Sequence, residues 1–140
     1  MKISARNQIK GTVTAIQEGA VNAVVVIGRD NQSPIKANIT MESVKELELA
    51  EGKECYAVIK ATNVMFATSK IGNISARNQI EGTIVKVQKG AVNGHVSIED
   101  ASGVRISGSI TNDAIDDLGL KEGDTAVAIV KSTDVMVAVD

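Results

Sequence analysis

Residues 3–9 of the chain read ISARNQI, and the same seven residues return at positions 74–80. When the sequence is aligned with itself at this offset of 71 residues, 29 of the 69 aligned pairs are identical. A length of 140 residues alone would suggest one domain. The repeat instead predicts two small modules, residues 1–69 and 72–140, joined around residues 68–73.

Each copy is dominated by residues that favour β-strands. In the first copy the stretches NQIKGTVTAIQEG and AVNAVVVIG are rich in Val, Ile and Thr. A polar loop with Pro34 follows, then a third strand, a short helix at 41–49 with Thr40 as its N-cap, and two further strands. The second copy has its helix at 112–120, capped by Thr111. This order predicts an all-β protein of two tandem OB-like five-stranded β-barrels, each with one short helix and each closed by its own last strand.

The composition argues against a nucleic-acid partner. The chain has 15 Lys and Arg residues against 17 Asp and Glu, a net charge of −2, and its only aromatic residues are one Tyr and one Phe. Binding to a nucleic acid usually needs an excess of positive charge, and single strands are also held by stacking on aromatic rings. An OB-fold that binds nucleic acid is therefore a disfavoured alternative.

Cellular location is suggested by two further features. No stretch approaches the roughly 20 apolar residues of a membrane span, and the first residues contain no apolar signal core. The single cysteine, Cys55, lies in the apolar run CYAVIKA, which indicates a buried structural thiol and fits a reducing compartment. These features predict a cytoplasmic protein without a membrane partner.

No combination of residues typical of a catalytic site is repeated in both copies. The one histidine, His95, is replaced by Val24 in the first copy, so Ser4 and Ser75 have no histidine partner common to both copies. The sequence also lacks a cluster of His and Cys with metal-ligand spacing, a P-loop and a GxGxxG motif. We therefore expect neither an enzyme, nor a metal-ion site, nor an organic cofactor.

Hydrogen-bond donors and cations are repeated instead. Ser-Ala-Arg opens each module, a threonine caps each helix, and Lys60 or Lys131 ends each fourth strand. Arg, Lys, hydroxyl groups and free backbone N–H groups together suit a small tetrahedral dianion. Alternatively, Arg6 and Arg77 pair with surface carboxylates and the lysines are simply solvated. The residues alone do not decide between these interpretations.

The stretches SARNQIKGTV, GAVNAVV and VIKATNVM, in this order, resemble the molbindins, and the tandem form resembles the di-molbindins. These are cytoplasmic proteins built from Mop or TOBE modules that bind molybdate and tungstate. The resemblance covers essentially the whole chain twice. It implies OB-like barrels, a homotrimer of two-module chains, and molybdate or tungstate as a bound oxyanion at interfaces between modules.

The resemblance also implies two related pockets and a second class of site. Ser43 of the first copy becomes Ala114 in the second, and Ala61 becomes Ser132, so the pockets should share their main donors and differ in affinity. The second class would use Asn22 and Asn93 of GAVN, although turn geometry explains the glycine of that motif equally well. The first pocket would use Ser4, the backbone N–H of Ala5, Arg6, Thr40, Ser43, Lys60 and Ala61, and the second would use Ser75, Ala76, Arg77, Thr111, Lys131 and Ser132.

Two functions follow from the resemblance. The leading hypothesis is storage or homeostasis of molybdenum as its oxyanion. The alternative is an oxyanion-sensing regulatory or transport-accessory module that acts through a separate partner protein.

Overall fold

The computed structural model describes residues 1–140 and contains ten β-strands, two α-helices and two short 3₁₀ turns. The strands of the first half are β1 (Asn7–Glu18), β2 (Asn22–Arg29), β3 (Gln32–Thr40), β4 (Glu54–Ile59) and β5 (Met65–Ala67). Those of the second half are β6 (Asn78–Lys89), β7 (Asn93–Glu99), β8 (Arg105–Thr111), β9 (Thr125–Val130) and β10 (Met136–Ala138). Helix α1 is Met41–Glu46, α2 is Asn112–Leu118, and the 3₁₀ turns are Ala61–Asn63 and Ser132–Asp134.

The strands form two five-stranded antiparallel sheets. Their orders are β10-β4-β1-β2-β3 and β5-β9-β6-β7-β8. In the first sheet the edge strands β10 and β3 contact each other, and in the second β5 and β8 do. Each sheet therefore curls into a small barrel, and the prediction of two OB-like five-stranded modules with one short helix each is confirmed.

The last strand of each repeat is exchanged. Strand β5 pairs with β9 and β10 pairs with β4, so the prediction that each module is closed by its own last strand is wrong. The first compact unit consists of Met1–Ile59 and Ser132–Asp140, and the second of Lys60–Lys131. The limits 1–69 and 72–140 remain a prediction for the sequence repeat, whereas the packed units have different limits.

The first long strand of each unit serves two ladders. Strand β1 pairs with β4 along its first half and with β2 along its second half. The register with β2 shifts between Val13 and Ala15, and the equivalent shift in β6 falls between Ile84 and Lys86. An irregularity of this kind bends a strand and increases its twist, which lets one strand turn from one partner to the next around a small barrel.

The helices and the proline differ in detail from the prediction. Thr40 and Thr111 are the N-caps, as predicted. Each helix ends earlier than predicted, because the backbone enters the left-handed region at Glu48 (φ 54°) just after α1 and at Gly119 (φ 64°) directly after α2. Pro34 lies inside β3 rather than in a loop. An edge strand tolerates proline because one of its sides needs no ladder hydrogen bonds.

The core of each unit is built from aliphatic side chains on the inner faces of the strands. The largest fully buried residues are mostly isoleucines and valines, among them Ile9, Ile27 and Ile59 in the first unit and Ile98 and Ile129 in the second. Neither helix is long and apolar enough to cross a membrane.

One aromatic side chain makes the second core different from the first. Phe66 of β5 is buried, and Gly108 of β8 lies against its ring. A Cβ at position 108 would lie 2.9 Å from Cζ of Phe66 and 3.1 Å from Cβ of Val64. The equivalent residues of the first unit are Val137, a smaller side chain, and Ala37. The glycine therefore provides the volume that the phenylalanine occupies.

We expect Gly108→Ala to lower the free energy of unfolding by about 1–3 kcal/mol, because an added methyl group overpacks the core beside Phe66. Urea denaturation would measure the loss. As a matched control, Gly72→Ala should change stability by less than about 0.5 kcal/mol, since no atom lies within 4 Å of a Cβ there. The double variant Gly108→Ala/Phe66→Val, which recreates the combination of residues in the first unit, should recover most of the loss. A double variant less stable than Gly108→Ala alone would contradict this packing account.

Candidate functional site

The Ser-Ala-Arg segment alternates between buried and exposed residues in both copies. Ala5 and Asn7 are buried, and Arg6 between them is exposed together with Ser4. In the second copy Ala76 belongs to a buried cluster with Val127 and Ile129 of β9, with Ala67 and Ile74 packed against it. The alanine thus anchors the segment, and the serine and arginine on either side face solvent.

The register of the first ladder places the arginine and the lysine at the same end of the sheet. Asn7, the first residue of β1, pairs with Ile59, the last residue of β4. Arg6 therefore precedes one member of this terminal pair, and Lys60 follows the other.

The second copy repeats this arrangement. Asn78 pairs with Val130 at the end of the β6–β9 ladder. Arg77 comes directly before Asn78, and Lys131 comes directly after Val130. The register thus brings both cations of each proposed pocket to one ladder end, although they are 54 residues apart in sequence.

These four cations have no carboxylate partner. The ion pairs join Lys10 to Glu54 and Lys89 to Asp116, and the charged side-chain groups of Arg6, Arg77, Lys60 and Lys131 make no hydrogen bond or ion pair. The alternative in which the arginines pair with surface carboxylates therefore finds no support. Like charges at neighbouring ladder positions repel each other, so this end of each sheet is suited to a shared anion.

The two helix caps differ in which hydroxyl group they leave available as a donor. Thr40 Oγ1 accepts from the backbone N–H of Ser43 at 3.1 Å and donates to Ser43 Oγ at 2.9 Å. Thr111 Oγ1 accepts from the backbone N–H of Ala114 at 3.1 Å. Because Ala114 has no hydroxyl, the hydroxyl hydrogen of Thr111 remains available to another acceptor. In the first copy the Ser43 hydroxyl becomes the terminal donor of a two-residue chain.

The residues assigned to the first pocket do not form one group. Thr40 pairs with Asn22 near the end of β1, whereas Arg6 lies before its beginning. The strand exchange also separates the residues after the lysines. The turn beginning at Ala61 packs against β8, and the turn beginning at Ser132 packs against β3. The arginine with its lysine and the threonine with its helix are therefore two separate groups of donors.

The GAVN motif forms the turn between β1 and β2. Gly19 N–H donates to the carbonyl of Asn22 at 2.8 Å, and Val21 accepts from Met41 N–H at 2.7 Å. A Cβ at Gly19 would lie 2.7 Å from the Asn22 carbonyl oxygen, so the close approach in this turn accounts for the glycine. Asn22 is exposed and lines a shallow depression of about 350 Å³ that also includes Glu18. The second copy forms the same turn, in which Gly90 N–H donates to Asn93 at 2.8 Å.

Comparison with known proteins identifies the family. A family model described as the TOBE domain matches residues 3–66 and again residues 74–137. The chain belongs to the TOBE-domain family.

Several relatives of this TOBE chain are themselves connected with molybdenum. The crystal structure of the cytoplasmic molybdate-binding protein ModG, in a form grown from PEG with molybdate bound, contains a chain that is 44% identical to it. The two superpose with a TM-score of 0.95, and each is covered completely. The molybdenum transport protein ModE of Azotobacter vinelandii is 40% identical over 139 residues, which are 99% of this chain and 52% of that protein. A probable molybdenum-pterin-binding protein of Haemophilus influenzae is 52% identical over 65 residues, which are 46% of this chain and 94% of that protein. The chain spans about half the length of the first of these curated relatives.

The sequence alone did not indicate that Asn7 and Asn78 of the repeated heptapeptide are buried polar residues next to the candidate site. Asn7 and Asn78 are 1% and 2% exposed, and Asn7 Nδ2 donates to the carbonyl of Ile59 at 3.1 Å. The sequence does contain one sign of this role, namely a polar residue at a position that the alternating strand pattern predicts to be buried. It could be interpreted only once the ladder register was known.

His95 and Cys55 remain outside the candidate site of the TOBE protein. His95 is exposed on β7, opposite Gln88 and Ser109. Cys55 is 1% exposed in β4, and burial raises the pKa of its thiol because the thiolate would lose hydration. The chain contains no group of three or more His, Cys, Asp or Glu side chains placed to hold a metal ion.

We expect Cys55 to react with iodoacetamide much more slowly in the native protein than in urea at mildly alkaline pH, since the thiolate is the nucleophile and the fold disfavours it. The folded state binds the thiol proton more tightly than the unfolded chain, so this contribution to stability is present below the unfolded pKa and is lost at higher pH. Mass spectrometry after timed labelling would measure the two rates, with Cys55→Ala as the unlabelled control. Equal rates would show that the thiol is accessible and would contradict the burial of β4.

Proposed function

We propose that this tandem TOBE protein binds molybdate or tungstate as an intact dianion and serves as a cytoplasmic store or buffer of molybdenum, not as an enzyme. Its relatives include molybdenum-binding and molybdenum transport proteins, which supports this proposal. The observation that carries it is the position of Arg6 and Lys60, and of Arg77 and Lys131, next to the terminal pairs of the two ladders and without carboxylate partners.

The chemistry of these groups suits a fully deprotonated oxyanion. Arg offers a planar fork of N–H donors, Lys offers a compact positive charge, and Ser4 or Ser75 adds a hydroxyl on the same exposed side. All of these groups can donate. An anion that carries a proton would present its own O–H to donors and lose a hydrogen bond, so molybdate and tungstate should bind better than phosphate.

A complete pocket requires the donors at the helix caps as well. Since Arg6 and Thr40 belong to opposite ends of β1, we propose that a second copy of the chain supplies the threonine group. The proposed assembly is a homotrimer. Exposed apolar residues support extensive contacts between copies, notably Val21 and Val92, which are 72% and 71% exposed, and Met65 and Met136, both 42% exposed.

The second class of site remains part of the proposal. Asn22 and Asn93 stand at equivalent turns, but their surroundings differ in charge. Glu18 beside Asn22 is replaced by Lys89 in the second copy, where the lysine forms an ion pair with Asp116. An anion should therefore be tolerated better beside Asn93 than beside Asn22.

A free oxyanion fits the chain better than a pterin compound does. A pterin ring would be held by stacking on an aromatic side chain. Phe66 is buried, and Tyr56 is partly buried with its hydroxyl donating to Asp140 at 3.3 Å. Neither aromatic ring belongs to the groups that carry the repeated cations.

An oxyanion-sensing regulatory or transport-accessory role is the second candidate function. The transport-accessory form is favoured by the relative ModE, a molybdenum transport protein of which this chain matches 52%. In that case the chain would act through a separate partner protein, and co-purification that depends on molybdate would distinguish sensing from storage.

Native mass spectrometry with and without molybdate tests the proposed function directly. We expect trimers that gain several molybdate ions, with tungstate replacing molybdate. Calorimetric titration should show much weaker binding of phosphate at neutral pH, and sulfate, a smaller dianion, separates the effect of protonation from that of size. A protein that stays monomeric, or that binds phosphate as tightly as molybdate, would refute the proposal.

Replacing one arginine should remove one class of pocket and leave the other. Arg6→Ala loses a charge-assisted hydrogen bond of about 1.5–3 kcal/mol, a weakening of roughly tenfold to hundredfold, at pockets built on Arg6. Pockets built on Arg77 should survive, so the number of tightly bound molybdate ions falls without reaching zero. Arg77→Ala is the matched control and should produce the complementary loss.

The protein without ligand should respond in the opposite sense. Because Arg6→Ala removes one of two positive charges next to the terminal pair of the ladder, it should leave the unliganded protein as stable as the unchanged chain or slightly more stable. Its thermal stabilisation by added molybdate should be smaller. Wild-type affinity and stoichiometry in Arg6→Ala would show that the Ser-Ala-Arg segment is structural.

A further inference from the structure

The repeated heptapeptide contains a buried polar residue that the proposed pocket does not use. Only four buried residues of the chain are polar or charged, and two of them, Asn7 and Asn78, occupy the same position of the repeat. The other two, Ser97 and Asp100, align with Val26 and Arg29 and so have no equivalent in the first copy. The asparagine is thus the one buried polar residue that both copies retain.

We propose that Asn7 and Asn78 are positioning residues for the oxyanion pocket. Each fixes the end of its ladder so that the arginine before it and the lysine across from it face one ligand. This inference rests on the proposed function, because the positioned groups are the cations of that pocket. It adds a role for residues that do not touch the anion.

The hydrogen bond of Asn7 reaches the peptide group that carries Lys60. Asn7 Nδ2 donates to the carbonyl oxygen of Ile59 at 3.1 Å. That carbonyl belongs to the peptide bond between Ile59 and Lys60, and a peptide group is planar. Holding the oxygen therefore fixes the plane in which the nitrogen and Cα of Lys60 lie. The same side chain stands one residue after Arg6, so a single contact sets the positions of both cations.

The second copy has an asparagine at the same buried position. Asn78 is 2% exposed, pairs with Val130 in the ladder and is not without a partner. Lys131 follows Val130, as Lys60 follows Ile59. The equivalence indicates that the arrangement belongs to the repeated design of the pocket and is independent of the local differences between the copies.

Packing alone gives no reason for an asparagine at this position. Asparagine is depleted in β-strands, and a buried amide is costly unless its hydrogen bonds are satisfied. An aliphatic residue would suit the neighbouring buried residues Ala5 and Ile9. The end of the ladder nevertheless carries two cations that repel each other, and an unrestrained end would let them separate. A buried donor that holds the carbonyl before the lysine opposes this separation.

The test uses the full chain and molybdate. In an Arg77→Ala background, tight binding reports on the pockets built on Arg6. There Asn7→Ala should weaken molybdate binding by about tenfold, the scale seen when a residue that orients a ligand-binding group is removed. In an Arg6→Ala background the same substitution should change molybdate binding little, because the cation that it positions is already missing. Asn7→Ser, a milder change, should act in the same direction if Asn7→Ala folds poorly.

Val13→Ala is the matched control. Val13 is buried on the same strand but away from its beginning, so the substitution lowers stability through a cavity and should leave molybdate affinity unchanged. Three results would overturn the inference: unchanged affinity in both Asn7 variants, an equal loss in Val13→Ala, or an equal loss in the Arg6→Ala background. The proposed function would survive these results. Failure of the unchanged protein to bind molybdate would instead refute the proposed function, and this inference with it.

Discussion

The antiparallel ladder between β1 and β4, repeated between β6 and β9, is the constraint on which the rest of the structure depends. These strands lie in the interior of their sheets, so their register fixes which side chains enter the core and which face solvent. One end of the ladder carries the arginine and lysine, and the continuation of β1 beyond its irregularity leads to the GAVN turn beside the capped helix. A shift of one residue would turn Arg6 inward and Ala5 outward.

Local signals explain why much of the fold could be predicted. The repeat, the Val- and Ile-rich strands and the threonine caps each depend on neighbouring residues, and the structure confirms them. The exchange of the last strands could not be predicted in this way. The sequences VMFA and VMVA are nearly the same, and so are the strands AVI and AIV that receive them. Pairing preferences are therefore similar for either partner, and the choice is made by the whole chain.

The candidate site likewise has features that the sequence predicts and features that only the structure reveals. Repetition of Ser, Arg, Thr and Lys drew attention to these donors, and the resemblance to the molbindins assigned them to a pocket that stays a prediction. The grouping of Arg6 with Lys60 could be recognised only once the strand register was known. Their lack of carboxylate partners could be recognised only from the positions of the side chains. The contribution of Asn7 was hidden because its side chain acts on a carbonyl 52 residues away. The separation of Thr40 from Arg6 likewise appears only when the strands are traced in three dimensions.

The strand exchange has a consequence for how such a chain could arise and how it could be divided. Cutting it between the repeats would not release two self-sufficient halves, since each half would hold a short strand whose partner lies in the other half. Two separate halves would need to associate and exchange strands, and this association depends on protein concentration. In one polypeptide the exchange is intramolecular, at an effective concentration set by the short connection between the halves. Gene fusion would in this way have converted an assembly step into a folding step, and it also freed the two copies to diverge at positions such as Ser43 and Ala114.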